Sequence, residues 1–351
     1  MAIRKASFKQ HVFYPGCDIP QSPLRKTARG IAVKCGINRL KAHFTKVGLI
    51  DVKDRILHEI KWIINQEIQQ EHLQATIQKY VEAQTENGFP FAELVVLHYQ
   101  MLNGSEPDKV ISVAAAIELL VLSFDILDDI EDGDDHLKLW MQEQSVALNA
   151  SAAMIFLCLD VVKKADLRNK EKAVSILLKH SLLAISGQHM DLMGQCRTEQ
   201  DYIEMALKKS GSLVSLACLA GAVLARDDYP QEIRQYAQFM GLIGQLNNDI
   251  SDLQTWEGKN DLINRKISLP IIYLLNFESK EADIIRAYYQ GSVEIDELLG
   301  KRERMSRLIV ESGALLYTEV MKRMYQQRAR DRLNKLDADR QYIHRLLDYI
   351  L

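Results

Sequence analysis

The segment that most narrows the possible folds runs from Val110 to Asp135. An apolar stretch, "VISVAAAIELLVL", passes directly into "SFDILDDIEDGDD", where six aspartates and one glutamate fall within eleven positions. The apolar part is rich in helix formers and is long enough to be a buried helix. Its acidic end then has to open onto solvent or the mouth of a cavity. Asp128 and Asp132 are one turn apart, and Asp125 lies three residues before Asp128, so the three share a stripe. Like charges at this spacing destabilise a helix by about 0.2–0.5 kcal/mol per pair. The C-terminal end of a helix also disfavours anions. Charge placed against both rules calls for a cation. Carboxylate oxygens with no His or Cys among them suit Mg²⁺, although an acidic, solvated helix end satisfies the same local pattern.

A second cluster weighs toward the cation. "GQLNNDISDL" (244–253) follows the apolar "FMGLIG" and places Asp249 and Asp252 at i, i+3, with Asn248 beside them. Two helices that each offer oxygen ligands at one end can enclose Mg²⁺ together with a diphosphate, which spares the metal an all-protein cage. Basic residues stand nearby in sequence. "LKKSGSL" sets Lys208 and Lys209 in a helix loosened by Ser210, Gly211 and Ser212, and "NRKISLP" sets Arg265 and Lys266 at the expected start of another helix, where backbone N–H groups favour anions.

The rest of the chain reads as helix after helix. The period of "VKDRILHEIKWIINQEIQQEHLQATIQKYVEAQ" predicts one long helical run from about residue 51. Further helices are expected near 91–102, 109–132, 143–164, 171–194, 199–225, 231–257, 266–277, 292–325 and 328–350. No stretch keeps a period of two for long, so no sheet is expected. The expected organisation is a single all-α domain over residues 51–351. Residues 1–50 differ in kind. They carry ten basic groups against one acid, Asp18, a net +9, which leaves −12 for the remainder of a chain whose total is −3. They read as a basic N-terminal extension, a partly ordered and solvated arm, with contact to an acidic surface or nucleic acid as the second reading. No nucleic acid partner is expected. Five cysteines, scattered at 17, 35, 158, 196 and 218, without CxxC and without a secretory leader, suit a reduced cytoplasmic compartment. The longest apolar stretches noted, 110–124 and 212–225, fall short of the roughly 20 residues of a membrane span, so no transmembrane segment is expected.

Five motifs in order resemble the trans-isoprenyl diphosphate synthases of the polyprenyl synthetase superfamily. "SFDILDDIED" resembles the helix ending in DDxxD, here Asp128, Asp129 and Asp132. "GQHMDL" (187–192) resembles GQxxDL, "KSGSL" (209–213) KTxxL, "GQLNNDISD" (244–252) FQxxDDxxD, and "DLINRKISLP" (261–270) DLxxGKxTLP. The resemblance implies the isoprenoid synthase fold, a large helical bundle around a deep apolar cavity with the two aspartate motifs facing each other at its mouth. It implies three Mg²⁺ ions on the diphosphate of an allylic prenyl donor. It assigns metal binding to Asp128, Asp132, Asn248, Asp249 and Asp252, catalysis to Asp128, Asp129, Asp132, Lys209 and Gln245, and substrate contacts to Gln188, Asp191, Lys138, Lys209 and Lys266.

The sequence also departs from the pattern. Chain-elongating members bind isopentenyl diphosphate through GGKRLRP, which falls here on "NGFPFAE" (87–93), so its cations become Phe89, Pro90 and Ala92. An Arg-Arg pair after DDxxD falls on Leu137 and Lys138, and the first Asp of the second motif is Asn248. The donor half is kept and the isopentenyl half is lost. This pattern, with "FAELVVLHY", "HLKLWM" and "KSGSLVSLACLAGAVLA", resembles the ComQ-type isoprenyltransferases, which modify a tryptophan of a competence-pheromone precursor. The implied activity is a prenyltransferase that uses geranyl or farnesyl diphosphate to prenylate a Trp in a small precursor peptide, in pheromone maturation and quorum sensing. A chain-elongating polyprenyl diphosphate synthase and a class I terpene synthase are the rival readings, and a regulatory subunit is a third. Glu118, inside the apolar helix, is expected to find a structural hydrogen bond. The closing segment is expected to complete the bundle or a homodimer face.

Overall fold

The computed structural model describes residues 49–133, 138–256 and 260–350. The basic extension up to residue 48, and with it His136 and Leu137 of the acidic loop, lies outside the described residues. Within them the helices are α1 (Leu49–Glu67), α2 (Glu71–Gln84), α3 (Pro90–Met101), α4 (Val110–Asp132), α5 (Leu139–Gln142), α6 (Gln144–Lys164), α7 (Lys170–Leu192), α8 (Glu199–Ala206), α9 (Ser212–Ala225), α10 (Glu232–Gln254), α11 (Leu269–Leu275), α12 (Lys280–Tyr289), α13 (Ile295–Leu299), α14 (Arg302–Glu311), α15 (Ala314–Leu333) and α16 (Arg340–Asp348). A 3-10 turn (Thr85–Asn87) precedes α3, and a π-helical segment (Leu207–Gly211) joins α8 to α9. The described residues contain no strand.

Local chemistry explains several boundaries. The long run expected from residue 51 breaks between Glu67 and Glu71, where the Gln70 side chain accepts from the Leu73 N–H and caps α2. Thr198 and Asp201 form a capping box at α8. Gly133, in the left-handed region at φ 64°, stops α4 just after the acidic motif. The expected helices 292–325 and 328–350 are instead α13 to α16. Gly313, at φ 82°, precedes α15, which runs straight through the expected break at 326–327.

The central layer is α3, α4, α9 and α10, packed on by α1, α6, α7 and α15. Every residue from Ser212 to Leu224 is buried, and Gly221 lets the carbonyl of Val95 approach α9 where a Cβ would collide. The small residues of "SLACLAGAVLA" thus serve close helix packing. Between α3 and α10, the His98 ring accepts from the Tyr236 hydroxyl at 2.5 Å and donates to the Leu94 carbonyl at 2.7 Å, and burial holds the imidazole down at about 4, neutral. α15 and α16 contribute Met321, Tyr325, Leu333 and Leu346 to the main core, so the closing segment completes the bundle. A second core, built on Ile271, Leu274, Ile285, Leu298 and Met305, supports the loop before α11.

Three helical stretches among the described residues are long and apolar enough to cross a membrane by composition. In Val110–Asp132 and Glu199–Ala225, 72% and 78% of the apolar window is buried in the bundle. The third, Gln144–Lys164, is 39% buried and went unnoticed in the sequence, because its apolar residues are interrupted by Asn149 and Ser151.

Candidate active site

The acidic ends of α4 and α10 open onto one cleft of about 1220 Å³, its open mouth included. Asp125 and Asp128 enter it from α4, and Asn248, Asp249 and Asp252 from α10. Gln188 and Asp191 enter from α7, Lys209 and Ser210 from the π segment, Lys266 from the loop before α11, and Gln245 from α10. The sequence therefore brought most of its candidate residues to one place. Phe124, Leu127, Ile185 and Leu213 add an apolar wall.

The π segment is what places Lys209. Its widened turn needs close approach from both sides, and glycine provides it. A Cβ on Gly187 would collide with the backbone nitrogen of Lys209, and one on Gly241 with the carbonyl of Ser210. Lys209 then bridges Asp191 at 2.8 Å and Asp128 at 2.9 Å, with its side chain only 15% exposed. Burial pulls its ammonium pKa down, but Asp128, Asp191 and Asp132 outweigh burial and hold it well above the ordinary lysine value. Lys208 turns outward to Glu204.

Asp132 is paired with Lys266. Burial and the nearby Asp128 carboxylate push its pKa up, against the pull of Lys209 and Lys266. Asp249 accepts from Gln245 at 3.0 Å and from the Leu269 N–H at 3.2 Å, and the Tyr202 hydroxyl sits beside it. Burial still pushes its carboxyl up to about 6. Gln245 in turn accepts from Ser210 at 2.9 Å, which ties α10 to the π segment. Across the mouth, Gln188 donates to Glu131 at 3.1 Å.

Three candidates stand apart from the cleft: Asp129, Lys138 and Asp132, whose carboxylate is buried against Lys266. Asp129 is one residue, about 100° around the helix, from Asp128. Its carboxylate is buried and accepts from Lys138 at 2.5 Å and from the Trp140 indole at 2.8 Å. Neither Asp129 nor Lys138 lines the cleft. The expected helix start at Lys266 also shifts. α11 begins at Leu269, whose N–H is committed to Asp249, so Lys266 acts from a loop. Tyr202 and Ser268 are residues that sequence reasoning missed. Tyr202 looks like one apolar-face residue of a short helix, and Ser268 carried no signal beyond its place in the motif.

Among the described residues no three His, Cys, Asp or Glu side chains stand close enough to form a ready metal cage. The donors are hard oxygens divided between two helix ends, which suits Mg²⁺, an ion that takes one or two carboxylates and completes its shell with phosphate and water. The cleft also presents buried acceptors without a partner, Gln188 Oε1 and Ser268 Oγ. The residues present fit the group.

An all-α bundle with two aspartate-bearing helix ends across a half-apolar cleft is the architecture of isoprenoid synthases. The polyprenyl synthetase family model matches residues 70–301, and the chain belongs to that family. It is a prenyltransferase, and its family is generally Mg²⁺-dependent. It is 33% identical over 299 residues to the tryptophan prenyltransferase ComQ of Bacillus subtilis subsp. natto, covering 85% of this chain and 92% of that protein. It is 30% identical to the ComQ of Bacillus subtilis strain 168, covering 80% and 93%. Among solved structures, a geranylgeranyl pyrophosphate synthase superposes with a TM-score of 0.75 at 18% identity, covering 87% of this chain and 98% of that one. A polyprenyl synthase from Caulobacter crescentus, complexed with calcium and isoprenyl diphosphate, gives 0.73 at 21%, covering 91% and 98%. These two likenesses concern the fold.

Proposed function

We propose that the protein transfers the prenyl group of geranyl or farnesyl diphosphate to the indole of a tryptophan in a small precursor peptide. One observation carries the reading. Beside the donor cleft, the corner where elongating relatives hold cations is apolar and acidic. Phe89, Phe91 and Ala92 are buried there, and the half-buried Glu118 accepts from the Ala92 N–H at 2.7 Å. A second diphosphate would meet low dielectric and carboxylates instead of lysine and arginine. The identity to tryptophan prenyltransferases supports the same reading.

In this mechanism Asp128, Asp132, Asn248, Asp249 and Asp252 would hold Mg²⁺, three ions in our reading. When bound, Mg²⁺ neutralises charge growing on the leaving diphosphate. Lys209 and Lys266 give up part of their hold on Asp128 and Asp132 to face the diphosphate oxygens. The wall of Phe124, Leu127, Ile185 and Leu213 houses the prenyl tail and keeps water from the allylic carbon. The donor C–O bond breaks, a C–C bond forms at the electron-rich indole, and one proton leaves the indole system, so no strong enzymic base is required. Asp129 acts from behind, fixing Lys138 and Trp140.

Incubation with Mg²⁺, donor and a Trp-containing peptide should add one prenyl mass to the peptide. Longer prenyl diphosphates from isopentenyl diphosphate, or hydrocarbon from donor alone, would establish the rival readings. A second copy of the chain is the partner we assign to the exposed Leu148 and Phe156 of α6 and Leu178 and Leu182 of α7. Sedimentation of a dimer that Phe156→Asp dissolves would support it. The three free thiols among the described residues, Cys158, Cys196 and Cys218, suit a reducing cytoplasm.

A further inference from the structure

A second hollow, of about 750 Å³ with its open mouth, adjoins the cleft and carries three guanidinium groups, those of Arg197, Arg265 and Arg286. The two spaces share Ile267, and Leu192 of the cleft is followed in the chain by Met193 of the hollow. Arg265 is unusual in two ways. It occupies the left-handed region at φ 52°, and it stands where the DLxxGKxTLP pattern has glycine. A long side chain held at such a φ points to a use for that side chain. The loop beneath it is pinned. The Tyr288 hydroxyl donates to the Ile263 carbonyl at 2.6 Å, and the Tyr289 hydroxyl donates to the Lys266 carbonyl at 2.8 Å. The guanidinium lies 4.3 Å over the Tyr288 ring. Arg286 is fixed by the carbonyls of Leu275 and Phe277, both at 2.9 Å, and by the exposed Asp283 at 2.5 Å. Arg197 and Arg265 are exposed and have no carboxylate partner among the described residues.

We propose that this hollow binds a carboxylate-bearing segment of the acceptor peptide and so sets the indole at the mouth of the donor cleft. The inference rests on the peptide-alkylating reading above. Arginine forks match carboxylates bidentately. Met193, Ile267 and Leu275 between them offer apolar contact to the peptide's own side chains. A diphosphate is the competing anion for the same guanidinium groups, and the test below separates the two.

The test uses two synthetic Trp peptides that differ only in two Asp residues beside the Trp, replaced by Asn in the second. The wild-type protein should prenylate the Asp peptide with a KM roughly 10-fold lower than the Asn peptide. Arg197→Gln combined with Arg265→Gly should erase the difference and leave the KM for the donor unchanged. Arg265→Gly relieves the left-handed backbone, so the variant keeps its fold, and Arg197→Gln alone should show part of the effect. Equal KM values for both peptides in the wild type would overturn this inference while leaving the peptide reading intact. Prenylation of neither peptide would sink both. Binding of isopentenyl diphosphate, measured by calorimetry, that the double variant loses would reassign the hollow to a diphosphate and overturn the proposal.

Discussion

The donor cleft and the amino-terminal end of α3 treat charge in opposite ways. In the cleft every buried charge has an answer. Lys209 stands between Asp128 and Asp191, Lys266 meets Asp132, and Asp249 is held by Gln245 and a backbone N–H. At α3 the cations are gone and the space is filled with Phe89 and Phe91. The acids left behind, Glu93 and Glu118, are held by Tyr349 and by α3's own N–H groups, and burial raises the pKa of both. In the function proposed above, charge is kept where bound cations can neutralise it and is absent where it would recruit a second diphosphate, so one bundle admits one pyrophosphate.

The comparison breaks most sharply if the α3 corner can be rebuilt. Phe89→Lys with Ala92→Arg restores two of the family's three charges on paper, but both positions are buried in this packing. The double variant should lose at least about 4 kcal/mol of stability in chemical denaturation. It should form no elongated prenyl diphosphate. A folded variant that elongates would mean the corner is closed by only two side chains. The cleft should respond in the opposite way, with chemistry lost and fold kept. Asp128→Ala removes a donor to the metal and frees Lys209, and kcat should fall roughly 10²–10³-fold. The far-ultraviolet circular dichroism should be unchanged. An effect below about 3-fold would return the acidic end to the status of a solvated helix terminus. Between these lies Gly187→Ala. The added methyl pushes the π segment off α7 and should cost about 1–3 kcal/mol. It should also lower kcat, because Lys209 moves with the backbone it rests on.

What could be read from the sequence was local and periodic. Asp128 and Asp132 share a stripe because they are four residues apart, and the apolar run before them had to be buried. The same reasoning located Asp249 and Asp252. Asp129 illustrates the limit. The motif groups it with its neighbours, but it sits about 100° around the helix from Asp128, and its carboxylate serves Lys138 and Trp140 instead. The break at 68–70 had no glycine or proline to announce it, only Gln70 acting as a cap. The closing helices were misdivided because one amphipathic pattern passes through several short elements. The signals there were Gly300 and Gly313, each beside a helix end. The arginine hollow was invisible because its walls come from residues almost a hundred positions apart, and only folding brings them together.

The effect that shows only as a pH dependence lies in Glu118, the carboxylate of the α3 corner. It is half-buried, and desolvation pushes its pKa up to about 8, with Glu93 and Asp125 adding to the rise and the N–H groups of Ala92 and Phe91 opposing it. The folded state therefore keeps the proton at pH values where the unfolded chain has released it. With the folded pKa above the unfolded one, stability is greatest below about pH 4.5 as far as this group is concerned. It declines as pH rises toward about 8, by about 1.4 kcal/mol per pH unit at most, and then levels off. Glu118→Gln keeps an oxygen for the Ala92 N–H and removes the titration. Melting temperatures measured from pH 5 to 8 should fall more steeply for the wild type than for the variant, with donor turnover at the cleft unaffected. Parallel curves would mean that Glu118 is ionised in the fold, and that the corner tolerates negative charge through its contacts with α3 instead of through a held proton.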